Sequence, residues 1–463
     1  MKANAAISET YGLDDVLLLP NETGVKPSAA STKTRLTKTI ELNIPIISAG
    51  RDNVTESPMA IAMAHLGGLG VIHHNMPAGK QVEEVRRVKR AEGNMVLNPI
   101  TISPEASVAE AVDLMTNYRV SGLPVAEAGT QKVVGIITGR DIRFFEDYAK
   151  PVSELMSKEV VTAQAGVQMD AAKKLMHAHR IEKIVVVDAQ GRCAGLVTVK
   201  DIDKLARFPQ ATRDRHGRLR VGACVRTGKD AIDRAAAMAD AGLDVLFIDV
   251  AHAHSREVLG TVSHIRQQRS SEVQIVAGNV VTPEAARSLI DSGADAVMVG
   301  IGGHDRSASR RLAGVGVPQL SAVVRVAEQC AMMGVPVIVN GGVCSPSAFA
   351  KAIAAGAEAV IFGGLFAGTD EAPGEIVCHE GGVYKVVNPA AKAQHRPPAS
   401  ATAAALDPLA LDEDAPDTSV PYRGPVAHTV QHLVAGLKAA MAYTGSADIP
   451  AMIENAEFVR KPS

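Results

Sequence analysis

Eight short apolar runs, each closing on or beside a small or polar residue, set the rhythm of the chain. They are Pro45–Ser48, Leu69–His73, Leu219–Val225, Val245–Val250, Gln274–Asn279, Asp295–Gly300, Val335–Gly342 and Glu358–Gly364. Val and Ile dominate them without the in–out alternation of a half-solvated strand, so both faces of each strand are expected to be buried. Intervening stretches such as Lys229–Ala241 and Pro283–Gly293 carry helical periodicity, and Pro425–Tyr443 reads as an apolar helix. Strands alternating with helices give an α/β chain with a parallel sheet. Eight such units point to a closed (β/α)8 TIM barrel, the open doubly wound sheet being the alternative.

The rhythm changes between the second and third strands, over about 95–207, where a sequence pattern occurs twice. One copy (95–151) holds NPITISPEASVAEAVDLM and ends its second Val-rich strand in GIITGRD; the other (152–207) holds SKEVVTAQAGVQMDAAKKLM and ends in GLVTVKD. Each copy resembles a CBS module, and a tandem pair resembles the disc called a Bateman domain. The barrel is then divided into 1–94 and 208–463. A further stretch, about 385–420, is rich in Pro, Ala and Asp with no strand pattern, which suits a mobile flap or a passive linker equally.

Bulk properties narrow the classes. The 463 residues carry a formal net charge of -2 and no Trp, so neither charge nor aromatic content argues for nucleic acid or an anionic membrane. No apolar run reaches the roughly 18 residues of a membrane span. The start, MKANAAISET, has no apolar leader core. Five scattered cysteines include no CxxC pair, so no disulfide framework or zinc ribbon is expected, and a reducing cytoplasm is the default compartment. The histidines His73, His74, His252 and His254 have no suitably spaced acidic or Cys partner, so no metal site is expected.

Several motifs together resemble the IMP dehydrogenase / GMP reductase family. They are YGLDDVLLLP (11–20), GGLGVIHHNM (67–76), LRVGA (219–223), AGNVVT (277–282), GADAVMVGIG (293–302), AGVGVPQ (313–319), AGTDEAPGE (367–375), YRGPV and ENAEFVR (454–460). The resemblance spans nearly the whole chain. It implies a homo-tetramer, and through ATP or GTP at the CBS pair an octamer, with the active site at the C-terminal strand ends. It also implies NAD as hydride acceptor and a cysteine that attacks C2 of a purine nucleotide; GMP reductases keep that cysteine for a reductive deamination.

Aligned without a gap between VGIG and AGVGVPQ, the family's cysteine loop reads Gly300-Ile301-Gly302-Gly303-His304-Asp305-Arg306-Ser307-Ala308-Ser309. Ser307 falls at the cysteine, with Ser309 two residues on. A serine hydroxyl is a far poorer nucleophile than a thiolate unless a base activates it. On the substrate side Asp305 stands at a phosphate-contacting Ser, Asn340 at the ribose-gripping Asp, Gly364 at a second phosphate-contacting Ser and Arg51 at a Met of the purine pocket. Gly341, Gly342 and Gly363 remain in the substrate loops. A carboxylate at 305 repels phosphate, while Arg51 suits an anionic or acceptor-rich group.

The cofactor side keeps Asp249, Ser255 and Asn279 as contacts to the nicotinamide riboside, along with Gly300 and Gly302; Val250 and Ala253 depart from the family pattern. His304 at a glycine position argues against a K+ site. Cys344, just past the seventh strand, is either a displaced nucleophile or a plain loop cysteine. In the CBS pair, Thr138, Asp141, Thr198 and Asp201 fall at the adenosine-nucleotide contacts. Three readings stay open: a divergent NAD-linked oxidoreductase for a purine-like ligand other than IMP, a catalytically silent paralogue that senses ATP or GTP, and an ordinary IMP dehydrogenase.

Overall fold

A computed structural model describes residues 8–92, 96–97, 99–118, 120–167, 169–268, 273–303, 307–379, 382–386 and 419–461. The expected flap lies, over 387–418, outside the described residues, as do His304 and Asp305. Internal contacts divide the chain into two units. One holds residues 1–91, 210–214 and 219–463, the other 92–209 and 215–218.

In the first unit the eight runs form a closed parallel barrel. Its strands are β1 (Ile46–Ser48), β2 (Leu69–Ile72), β3 (Gly222–Val225), β4 (Val245–Asp249), β5 (Gln274–Val280), β6 (Ala296–Val299), β7 (Val337–Asn340) and β8 (Ala359–Phe362). Parallel pairing runs from β1 round to β8, and Val360 opposite Ile46 closes the ring. The longer helices of this unit are α1 (Ser57–His65), α2 (Ala78–Ala91), α3 (Gly228–Asp240), α4 (Arg256–Gln268), α5 (Pro283–Asp291), α6 (Gln319–Met332), α7 (Pro346–Ala354) and α8 (Val426–Tyr443).

Burial on both faces explains the unbroken apolar runs. Ile47, Leu69, Val71, Phe247, Val276, Met298, Ile338 and Ile361 belong to one buried cluster. Phe362 meets Phe349 of α7 edge-on at 5.4 Å and Phe366 at 5.6 Å, in the range favoured by aromatic pairs. The helix starts were written in sequence. Thr282 and Ser345 accept hydrogen bonds from the Ala285 and Ala348 amides, with Pro next in chain at the first helical position.

The second unit repeats one small motif. Hairpin Gly122–Ala126/Val133–Thr138 has its counterpart in Lys183–Val187/Cys193–Thr198. Each is preceded by an amphipathic helix, Val108–Tyr118 and Met169–His179, over its own apolar cluster. Each closes on the same cap: Asp141 Oδ2 accepts from the Thr138 amide and hydroxyl, both at 2.7 Å. Asp201 Oδ2 does the same for Thr198 at 2.9 and 2.7 Å. Removing either carboxylate (Asp141→Ala or Asp201→Ala) is therefore expected to cost about 1 kcal/mol. Urea unfolding of the full chain checks this; an unchanged midpoint for both variants would show that the caps do not form in solution.

Candidate functional site

The C-terminal ends of the barrel strands bring together side chains far apart in sequence. Asp249 ends β4, and its Oδ1 accepts from Asn279 Nδ2 of β5 at 3.2 Å and Asn340 Nδ2 of β7 at 3.3 Å. Burial raises the Asp249 carboxyl above its ordinary value, against the attraction of Arg51 and Arg226 and the two amide hydrogen bonds. Asn279 Nδ2 also donates to the Val250 carbonyl, whereas its Oδ1 is buried with no partner among the described residues. Arg51, just past β1, is exposed, and its guanidinium makes no hydrogen bond or ion pair among the described residues. Its arm runs along Gly363, where an added Cβ would lie 3.8 Å from Arg51 Cδ.

Sequence reasoning put Asp249 and Asn279 on a cofactor side and Arg51 and Asn340 on a substrate side. In the fold both amides meet one carboxylate oxygen and Arg51 acts on the same group. The two sides therefore share one electrostatic centre. Ser255 has a local role: its Oγ accepts from the Val258 amide at 3.3 Å, at the start of α4.

The glycine loop follows from close approach. A Cβ on Gly300 would overlap the Asn340 carbonyl, and Gly302 presses on Gly316 of the facing turn. Gly302 also sits at φ +67, in the region that favours glycine. Gln319 Nε2 ties α6 to the Val299 carbonyl at 3.0 Å beneath this loop. Ser307 precedes a short helix, Ala308–Ala313, with its Oγ 3.0 Å from Ser309 Oγ and no side-chain bond to the helix amides. Among the described residues no base contacts Ser307. Gly341 and Gly342 follow β7 at φ +92 and +77. An added Cβ on Gly364 would meet nothing within 4 Å, so that side of the mouth is open.

A second group escaped sequence reasoning. Cys224 of β3 has its Sγ 3.3 Å from the Gly50 carbonyl and 3.6 Å from His74 Nδ1. Burial pushes the thiol up, with Asp249 adding to the shift. Burial also pulls His74 down to about 4, helped by Arg226, His73 and Arg234. Both groups are thus neutral at neutral pH, which is the wrong pairing for a thiolate nucleophile. His74 lies in the motif GGLGVIHHNM just after β2 and Cys224 lies within β3 just after LRVGA, but nothing in the sequence marks them as neighbours. Cys344 is exposed beyond β7, away from this cluster's hydrogen bonds.

Comparison with known proteins agrees along the whole chain. The sequence model described as the IMP dehydrogenase / GMP reductase domain matches residues 10–463. An inosine-5'-monophosphate dehydrogenase of Aquifex aeolicus is 44% identical, covering 98% of this chain and 93% of the relative. One of Rhizobium tropici is 46% identical, covering 96% and 91%. Among solved structures, a variant of Trypanosoma brucei GMP reductase in complex with guanosine 5'-monophosphate superposes at TM-score 0.83 with 34% identity, covering 100% of this chain and 97% of that one. The same organism's GMP reductase with guanosine 5'-triphosphate gives 0.79 at 33% identity, covering 99% of each chain.

Proposed function

This chain belongs to the IMP dehydrogenase / GMP reductase family, and we propose that within it the protein is an NAD-linked oxidoreductase that takes a purine-like ligand without the cysteine route from IMP to XMP. The observation that carries this reading is Ser307 in the family's cysteine loop, with no activating base beside it among the described residues. A hydroxyl held this way does not form the covalent bond to a purine carbon that a thiolate forms.

The residues present fit the nicotinamide end of NAD. The orphan Asn279 Oδ1 is a buried acceptor awaiting a donor, and Asp249 Oδ2 is left over once Oδ1 has taken two amides. A carboxamide and ribose hydroxyls supply such donors. NAD, when bound, supplies the hydride acceptor. Asp249 then orients the ribose, Asn340 holds Asp249, and Arg51 offers its guanidinium to an acceptor-rich or anionic group of the ligand. K+ has no support from this loop, where His304 takes a glycine's place.

NADH absorbance with IMP and NAD tests the reading: none above background is expected from the unmodified chain. Clear turnover would falsify it. Thermal shifts then separate ligands. NAD at about 100 times its Kd should stabilise the fold by about 2.7 kcal/mol, and Asp249→Ala should abolish that gain. An equal gain in the variant counts against the assignment of Asp249.

A second reading concerns the repeat unit, whose copies resemble CBS modules. Each cap uses one carboxylate oxygen, leaving Asp141 Oδ1 and Asp201 Oδ1 without partners among the described residues. Free carboxylate oxygens suit ribose hydroxyls. On this reading ATP or GTP binds there and tunes assembly of a tetramer into an octamer. Stabilisation by ATP or GTP with none by NAD or a nucleoside would make sensing the main role.

A further inference from the structure

A cavity of about 370 Å³ lies between the start of α7 and the first half of α8, lined by Cys344, Ser345, Pro346, Leu365, Arg423, His428, Thr429, His432 and Leu433. None of these lining residues is acidic. The Arg423 guanidinium and the His428 and His432 imidazoles have no hydrogen bond or ion pair among the described residues. His428 and His432 are four apart on α8 and so share one helix face. An unpaired guanidinium, two imidazoles and a threonine hydroxyl form a donor-rich wall. Pro346, Leu365 and the buried Leu433 form an apolar one. The α7 helix also starts at this rim, and a helix start favours negative charge.

The volume falls within the usual range for small organic ligands and exceeds what a bare ion needs. We propose that this cavity binds a small organic oxyanion, its charged group held by Arg423, His428 and His432 and its apolar body laid on Pro346, Leu365 and Leu433. Cys344 stands in the wall as a built-in reporter, because an exposed thiol reacts according to the charge and access around it. Its lining shares no residue with the Asp249 cluster, and the proposal does not depend on the proposed oxidoreductase role.

The test uses the full chain and two disulfide reagents. One is dithiobis-nitrobenzoate, an aromatic disulfide bearing carboxylates; the other is uncharged dithiodipyridine. Cys378, also exposed but outside the cavity, is the internal control. Labelling is read at each cysteine by peptide mass spectrometry. The Cys344-to-Cys378 rate ratio should be about tenfold higher with the anionic reagent, the size of effect that electrostatic focusing gives. Succinate and inorganic phosphate are added as competitors. Protection of Cys344 by either supports the site, and which one protects says whether carboxylate or phosphoryl chemistry suits it. Arg423→Gln, an exposed position, should bring the two reagents' ratios together, and so should the double variant His428→Gln/His432→Gln. Equal ratios in the unmodified chain, or an anionic preference that survives both variants, would overturn the proposal.

Discussion

Replacing Lys89 by Met should remove about 3–5 kcal/mol from the stability of the barrel unit, the cost of breaking a buried ion pair from one side. Lys89 lies in the last turn of α2, and its side chain is only 5% exposed. Its ammonium donates to Asp244 Oδ2 at 2.6 Å, Asp214 Oδ2 at 3.1 Å and the Leu219 carbonyl at 3.0 Å. Asp244 has two further supports, the Val221 amide at 2.9 Å and Arg220 at 3.3 Å. Burial nevertheless drives its carboxyl above the ordinary value, and Lys89 is the foremost influence holding it down. Methionine matches the lysine stem in length, so the packing is kept and the charge is lost. Two carboxylates, each 8% exposed, then stay behind in a region that disfavours them. Urea denaturation measures the loss. The double variant Lys89→Met/Asp244→Asn should recover part of it, because removing both partners leaves less uncompensated charge. A loss under about 1 kcal/mol in the single variant would show that water reaches the cluster and replaces the ammonium.

This network also shows which parts of the architecture could be read from the sequence. Apolar runs that lack alternation require strands buried on both faces, and eight of them arranged in parallel have few ways to close. The helix starts at Thr282 and Ser345 were local chemistry, legible from a hydroxyl followed by proline. The Lys89 cluster was not legible, since its members lie 125 and 155 residues apart and only the closed ring makes them neighbours. The site divides in the same way. Asp249, Asn279, Asn340 and Arg51 were each visible by motif, yet their meeting on one carboxylate depends on strands β4, β5 and β7 ending at one level. His74 lay inside GGLGVIHHNM and Cys224 directly after LRVGA, yet neither motif pairs the two. A thiol and an imidazole 150 residues apart become a pair only when β2 and β3 lie side by side.

The histidine of that pair, with Glu56, shapes part of the protein's response to acid. His74 is depressed from 6.5 to about 4, first by burial, then by Arg226, His73 and Arg234, with Asp52 opposing. Glu56 is depressed from 4.5 to about 2, first by its contact with His73, whose Nε2 lies 3.5 Å away, and then by Lys80 at 3.2 Å. Between pH 6.5 and 4 the unfolded chain binds the His74 proton and the folded chain does not, so stability rises with pH there and falls on acidification. For Glu56 the folded carboxylate keeps its charge down to about pH 2. Its contribution is complete above 4.5 and is lost as pH falls from there towards 2. The full loss from His74 is on the order of 3 kcal/mol, at about 1.4 kcal/mol for each pH step between 6.5 and about 4. Asp244 and Asp249, whose carboxyls are raised, work in the opposite sense, since protonating them on acidification relieves buried charge. A whole-protein pH profile therefore mixes both signs, and the informative quantity is the difference between parent and variant. His74→Asn keeps a polar side chain of similar reach without an ionisable ring. Its urea-derived stability should fall less than the parent's between pH 6.5 and 4.5, where Glu56 is still silent, and run parallel to it above pH 7. Glu56→Gln should leave the upper window unchanged and flatten only the part below 4.5. If His74→Asn tracks the parent through the upper window, then His74 titrates alike in the folded and unfolded chains, and neither its burial nor the cations near it hold it down in solution.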